Sequence, residues 1–291
     1  MKVVGFSFIK NAEKFQYPVV EALRSILPLC DEVVVAVGNS EDNTRALVAS
    51  ADPHKIRIID TVWDDSLREG GKVLAVETNK AFQAIGNDAD WCVYIQGDEV
   101  MHEDGHDEVY KAMQKWKDSK EVDGLLFKYR HFYGSFDYVG MSSNWYRKEI
   151  RVVRNDKSIY SYRDAQGFRK GDNEKLRVKP LNAYIHHYGW VREPKAMRSK
   201  FNDFGKYWNG DEWLEEFNKK YTGDFDYSGV NYLQKYTGTH PQVMQERINH
   251  MNWKFDYDLS YNKPKLKDRF RDVMEKLTGK RPFEYRNYRI V

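Results

Sequence analysis

The chain has 291 residues, 41% of them hydrophobic and 31% charged, which excludes a disordered or fibrous polypeptide and allows a sizeable core. A formal net charge of +3 excludes the uniform basic field that nucleic-acid binding asks for, so no nucleic-acid partner is expected. The charge is unevenly spread: residues 263–291 hold ten Lys/Arg against four Asp/Glu.

In chain order, Val3–Ile9 is a continuous apolar run with β-branched residues, as a strand buried on both faces should be. Residues 13–29 carry a helical stripe of Val19, Val20, Leu23, Ile26 and Leu27. A second buried strand spans 32–37, and Ser40 reads as the N-cap of a helix over 42–51. A short strand at 56–59, a polar loop at 63–71 and a helix over 72–85 follow, and then a strand at 91–95. Strands alternating with helices at this spacing predict right-handed crossovers and a mainly parallel sheet. Ligands of such sheets bind beyond the carboxyl ends of the strands, here the polar segments at 10–11, 38–40, 60–63 and 96–99.

After residue 120 the pattern changes. Strands are expected at Gly124–Tyr133, 150–154 and 182–188, and helices at 194–208, 211–221, 241–251 and 263–277, with Gly279 as the C′ residue of the last. Cys30 and Cys92 lie in apolar runs without metal-ligand spacing, so free thiols in a reducing, cytoplasmic compartment are expected. The N-terminal run lacks a small-residue cleavage site and reads as a strand rather than a signal core. A basic tail is most often a solvated face, but it also suits an anionic partner, and peripheral contact with the inner face of a membrane is the accompanying expectation.

Gln96-Gly97-Asp98-Glu99 ends the fourth strand, and carboxylate oxygens at that place suit a hard cation such as Mn²⁺ or Mg²⁺ bridging to a diphosphate. His186 and His187 end a later strand. Adjacent strand residues point to opposite faces, so only one of the two is expected to reach the same ion. Asp164 and Glu99 are candidates for a general base. Lys200, Arg198 and Arg192 could neutralise a diphosphate, and the aromatic run Tyr129 to Tyr146 and the cluster Trp190, Tyr207, Trp208 and Trp213 could stack on sugar rings, although aromatics at such spacing are more often core.

Four stretches in order carry a resemblance: Phe8 to Glu13, Gly38 to Thr44, Gly71 to Ala81, and Trp91 to Glu99. Together they resemble the family-2 glycosyltransferases with a GT-A fold, over about residues 3–105. The resemblance implies an α/β, Rossmann-type sheet with helices on both faces. It further implies transfer of a sugar from a nucleoside-diphosphate sugar donor to a glycan or lipid-linked acceptor, with inversion. Lys10, Asn11, Glu13, Asn39, Asp42, Lys72, Gln96 and Gly97 would then lie near the nucleotide sugar, and Asp98 would be the principal metal ligand with His186 or His187. Two positions depart from the pattern: Gln96 replaces the first acid of the D-x-D motif, and Val37-Gly38 stand where an aspartate often contacts the base. A non-catalytic nucleotide- or glycan-binding protein with the same fold is the alternative. The expected organisation is a nucleotide-sugar-binding half at 1–120, a mixed β acceptor and metal half at 121–192, and a helical extension with the basic tail at 193–291.

Overall fold

The computed structural model describes every residue except Lys280, one of the ten cations of the basic tail. Four parallel strands form its first half: β1 (Val3–Ile9), β2 (Glu32–Gly38), β3 (Ile56–Thr61) and β4 (Trp91–Tyr94), in the order β3-β2-β1-β4. Every residue of β1 is buried because helices cover both faces, and each fully buried Val or Phe there stabilises the fold by about 1.5–3 kcal/mol. The covering helices are α1 (Val19–Ile26), α2 (Thr44–Ala49) and α3 (Lys72–Gln83).

Two of these helices begin later than their patterns suggest, for one shared reason. The segment before α1 is held to the loop before α2, with Ala12 N donating to Thr44 Oγ1 at 2.6 Å and Lys14 N to Asp42 Oδ2 at 2.8 Å. Asn11 and Gln16 turn the chain there with φ of 55° and 51°. Pro18 disfavours helix in the residue before it, so α1 starts at Val19. Ser40 caps nothing; its Oγ accepts from Asn11 N at 3.0 Å.

After β4 come β5 (Glu99–Met101), α4 (His106–Trp116), β6 (Gly124–Tyr133), β7 (Tyr138–Gly140) and β8 (Lys148–Arg154). β8 inserts antiparallel between β4 and β6, so the second half extends the first sheet. A small antiparallel sheet of β9 (Ile159–Tyr162), β10 (Gly167–Lys170) and β11 (Glu174–Lys175) packs beside it. The long β12 (Arg177–Trp190) runs parallel to β6 and antiparallel to β5.

The C-terminal third wraps this frame with α5 (Pro194–Gly205), α6 (Asp211–Lys220), β13 (Leu233–Lys235), α7 (Gln245–Asn249), α8 (Leu266–Thr278) and β14 (Arg289–Ile290). Gly279 ends α8 at φ 67°, as its pattern predicts. α5 crosses the carboxyl rim of β1–β3: Phe204 meets Phe15 edge-on at 5.4 Å and Trp63 at 6.2 Å, and Gly71 N donates to Tyr207 O at 2.9 Å.

Candidate active site

The turn at Gln96–Asp98 leaves β4 at the carboxyl rim and feeds directly into β5. The pairing of β5 with β12 sets Glu99 opposite His187 and Val100 opposite His186. Strand alternation then separates the two histidines. His186 turns into a polar cluster of its own, with Nε2 3.0 Å from Arg130 Nη1 and Nδ1 3.2 Å from the Tyr188 hydroxyl. It does not reach the acidic turn, so the strand register selects His187 from the pair. His187 Nε2 lies 3.8 Å from Asp98 Oδ1, and Tyr188 N holds the Asp98 carbonyl at 2.8 Å.

The hydrogen-bond network defines which ring nitrogen of His187 is free. His131 Nε2 is 2.8 Å from the Tyr146 carbonyl, which only accepts, so that nitrogen carries the proton. Burial holds the His131 pKa well below the usual imidazole range, which keeps the ring neutral and its Nδ1 an acceptor. His187 Nδ1, 3.2 Å from His131 Nδ1, must therefore donate, and this leaves the His187 Nε2 lone pair facing Asp98. Burial also lowers the His187 pKa, against the pull of Asp98 and Glu99. Two lone-pair donors thus face each other with no proton between them.

Cations surround this pair. Lys200 Nζ, reaching in from α5, is 3.6 Å from Asp98 Oδ2 and donates to the Gly189 carbonyl at 3.2 Å. Burial and Arg192 depress the Lys200 pKa to about 7 although Asp98 raises it. Burial pushes the Asp98 carboxyl up, but His187 whenever its ring is protonated, together with Lys200 and Arg192, holds it below its ordinary value. Arg192 is buried; Nη1 donates to Phe15 O at 2.8 Å, and Nε and Nη2 have no partner among the described residues. A Cβ on Gly189 would come within 2.8 Å of Asp98 Oδ2 and also strike the His187 ring, so only glycine leaves this space open.

Asp98 Oδ1 and His187 Nε2 fit a divalent cation as two protein donors of the expected kinds. Among the described residues no group of three or more His, Cys, Asp or Glu is arranged to hold an ion, so any remaining ligands must come from a bound molecule or water.

Two adjoining cavities open here. The larger, about 580 Å³, is lined by His187, Asp164 and Gln96 and walled by Trp145, Trp190, Trp208 and Trp213. Its size falls in the ordinary range for small-molecule sites. The smaller, about 170 Å³, contains Lys10, Tyr17, Trp63, Gly97 and Asp98. Gln96, Asp164, Lys200, Phe204 and Trp208 border both. Asp164 is half-buried between two residues of positive φ, Arg163 and Ala165, and burial raises its carboxyl pKa. The indole of Trp63 closes the rim over Gly38, where a Cβ would overlap it, and its N–H has no partner among the described residues.

Lys10, Gln96, Gly97, Asp98, Asp164 and His187 therefore converge on one site. Glu99 does not join them. It is fully buried, with both oxygens held by Arg151 and one also by the Tyr129 hydroxyl at 2.9 Å, so it has no free oxygen to take a proton. Asn11, Glu13 and Asp42 tie two rim loops together: Asn11 Oδ1 accepts from Glu41 N at 2.9 Å and Glu13 Oε2 from Asn43 N at 3.2 Å. Asn39 Oδ1 accepts from Trp63 N at 3.3 Å, and Lys72 is exposed in the first turn of α3. Trp63 lies in the 60–63 rim segment expected from the sequence, whereas Tyr17, Phe204 and His131 belong to the site with no sequence signal that singles them out, since their role depends on distant partners.

The parallel β3-β2-β1-β4 run, continued by antiparallel β8 and carrying the acidic turn at its rim, is the α/β arrangement that the resemblance to a GT-A fold implies. Solved structures with similarity to the chain include TarS of S. aureus in complex with UDP-GlcNAc, at 18% identity and a TM-score of 0.41, covering 71% of this chain and 64% of that one. A second TarS structure has 13% identity and a TM-score of 0.40, over 70% and 39%. Glucosyl-3-phosphoglycerate synthase from Mycobacterium tuberculosis, in complex with Mn²⁺, UDP and phosphoglyceric acid, has 17% identity and a TM-score of 0.31, over 45% and 43%. The chain spans between 39% and 65% of the length of the TarS chains it matches. No protein-family model and no curated protein matches the sequence.

Proposed function

We propose that the chain is a glycosyltransferase that moves a sugar, with inversion, from a nucleoside-diphosphate sugar to a glycan or lipid-linked acceptor, with a divalent cation as cofactor. The observation that carries this reading is the Asp98–His187 pair, whose facing lone pairs at 3.8 Å call for a positive charge between them, at the rim where GT-A folds bind donors.

Asp98 and His187 would hold Mn²⁺ or Mg²⁺, which when bound neutralises charge developing on the leaving diphosphate. Arg192 adds fixed positive charge on the same side, and Lys200 adds a charge that titrates at about 7. Lys10, Gln96 and Gly97 would line the donor's path in the smaller cavity. Asp164, bordering both cavities, would take the proton of the attacking acceptor hydroxyl; its raised pKa favours that role over a permanently ionised carboxylate. The tryptophan walls of the larger cavity offer flat apolar faces for sugar rings of the acceptor.

One observation favours the non-catalytic alternative: Gln96 spends its amide on Tyr94 Oη at 3.1 Å and Ala165 O at 3.0 Å, as a structural residue would. Thermal unfolding with UDP, GDP, CDP, TDP and ADP, each with and without Mn²⁺, tests ligand binding by mass action. A Mn²⁺-dependent rise with one nucleotide, followed by turnover of its sugar, supports transfer. A rise without any turnover supports a nucleotide-binding form of the alternative, and no rise with any pair refutes the transfer reading and leaves only a glycan-binding one.

A further inference from the structure

Helix α8 is mounted with its polar side inward. Asp268, Asp272 and Glu275 form one stripe that faces the protein. Asp268 is buried and accepts from Ser143 N at 3.0 Å. Asp272 accepts from the Tyr232 hydroxyl at 2.7 Å, and Arg281 donates to Asp272 at 2.5 Å and Glu275 at 2.8 Å. At 3.6 residues per turn the opposite stripe is Leu266, Phe270, Val273 and Leu277, which are 82%, 51%, 53% and 76% exposed. The loop beyond adds Phe283, 82% exposed and linked to the helix by Arg271 donating to its carbonyl.

The charges sort with the same polarity. The acids of α8 are buried or paired inward, while Lys265, Lys267, Arg269 and Lys276 are exposed beside the apolar stripe. An exposed apolar stripe flanked by cations is complementary to an anionic bilayer surface, where apolar side chains enter the headgroup boundary and lysines meet lipid phosphates. The 4-3-4 spacing would also suit a helix seam with a second copy, but the positions flanking it are Lys267, Arg269 and Lys276. With no acid there to pair, two copies would repel. Among the described residues no helix is long and apolar enough to cross a membrane.

From these observations we infer that α8 docks the protein in the plane of an anionic lipid surface through Leu266, Phe270, Val273 and Leu277. The inference deepens the basic-tail reading and stands independently of sugar transfer. Ser143, held by Asp268, precedes Asn144 in the wall of the larger cavity, so one short segment joins α8 to the site.

Flotation of the full chain with phosphatidylcholine vesicles, and with phosphatidylcholine–phosphatidylglycerol vesicles at low and high salt, reads this directly. Binding should require the anionic lipid, weaken in high salt, and fall at least about tenfold in both Phe270→Ser/Leu277→Ser and Lys267→Glu/Lys276→Glu. Circular-dichroism melting confirms that both variants fold. Absent binding, equal binding to neutral vesicles, or a concentration-dependent dimer in sedimentation that Phe270→Ser abolishes would each overturn the inference. The nucleotide shift, measured on the same samples, reports separately on the transferase reading.

Discussion

Glu99 and Arg151 meet with both side chains fully buried, joined by hydrogen bonds of 2.8 Å from Nε and 2.6 Å from Nη2. Glu99 begins β5, immediately after Asp98, and Arg151 lies in β8, so this one ion pair fastens the antiparallel half of the sheet to the turn that carries the site. Arg151 also donates to the carbonyls of Ile150 and Gln166 at 2.7 and 2.9 Å, which ties in the segment bearing Asp164.

Breaking this pair from one side leaves a buried charge uncompensated. Arg151→Met is expected to lower unfolding stability by about 3–5 kcal/mol, measured by urea denaturation. A loss below about 1 kcal/mol would contradict a framework role for Glu99.

Asp98→Asn and His187→Ala act on the site rather than the frame. Each is expected to remove the Mn²⁺-dependent part of the nucleotide shift. Stability without ligand should fall by only about 1–2 kcal/mol, because the surrounding strands keep their own contacts. His186→Ala is the control. Facing Arg130 and Tyr188, it should leave the Mn²⁺ dependence intact, and loss of that dependence would contradict the choice between the histidines.

For Asp164, the expected signature is kinetic. Asp164→Asn should reduce kcat by about 10²–10⁴-fold while nucleotide affinity stays within a factor of about three, read by turnover and titration. An equal loss of affinity would assign Asp164 to donor binding instead.

Glu149 supplies the pH dependence. Burial pushes its carboxyl up to about 7, opposed only in part by Arg151 and by hydrogen bonds from Ile150 N and Gln166. The native state therefore keeps this proton over a range where the unfolded chain has released it, and stability falls as pH rises from about 4.5 to 7. The penalty, on the order of 3 kcal/mol, is fully present above that window. Glu149→Gln should flatten this part of the stability profile. An unchanged wild-type-minus-variant difference between pH 5 and 8 would refute the assignment.

Much of the first half was legible in the sequence because its signals are local. The apolar runs of β1, β2 and β4, the length of α3 and the acidic turn after β4 all appear where short-range patterning predicts them. The helix α4 gave no clear pattern, since only Val109 and Met113 form its buried apolar stripe. β7, β9 and β10 are three or four residues long and lack a run that periodicity can detect. In the tail the periodicity of α8 was visible, but not that its acidic side faces the protein.

Composition and local pattern by themselves determined the alternating α/β architecture, the rim where the site would lie and the acidic turn upon it. Only the tertiary structure decided which residues of that rim act together. The Glu99–His187 register turned His187 toward Asp98 and His186 away, Arg151 withdrew Glu99 into the frame, and α5 folded back to bring Lys200 beside Asp98. Each outcome depends on the direction of a side chain whose partner lies tens of residues or more away in the chain, and side-chain direction across such separations follows from strand register and helix docking, which no local periodicity encodes.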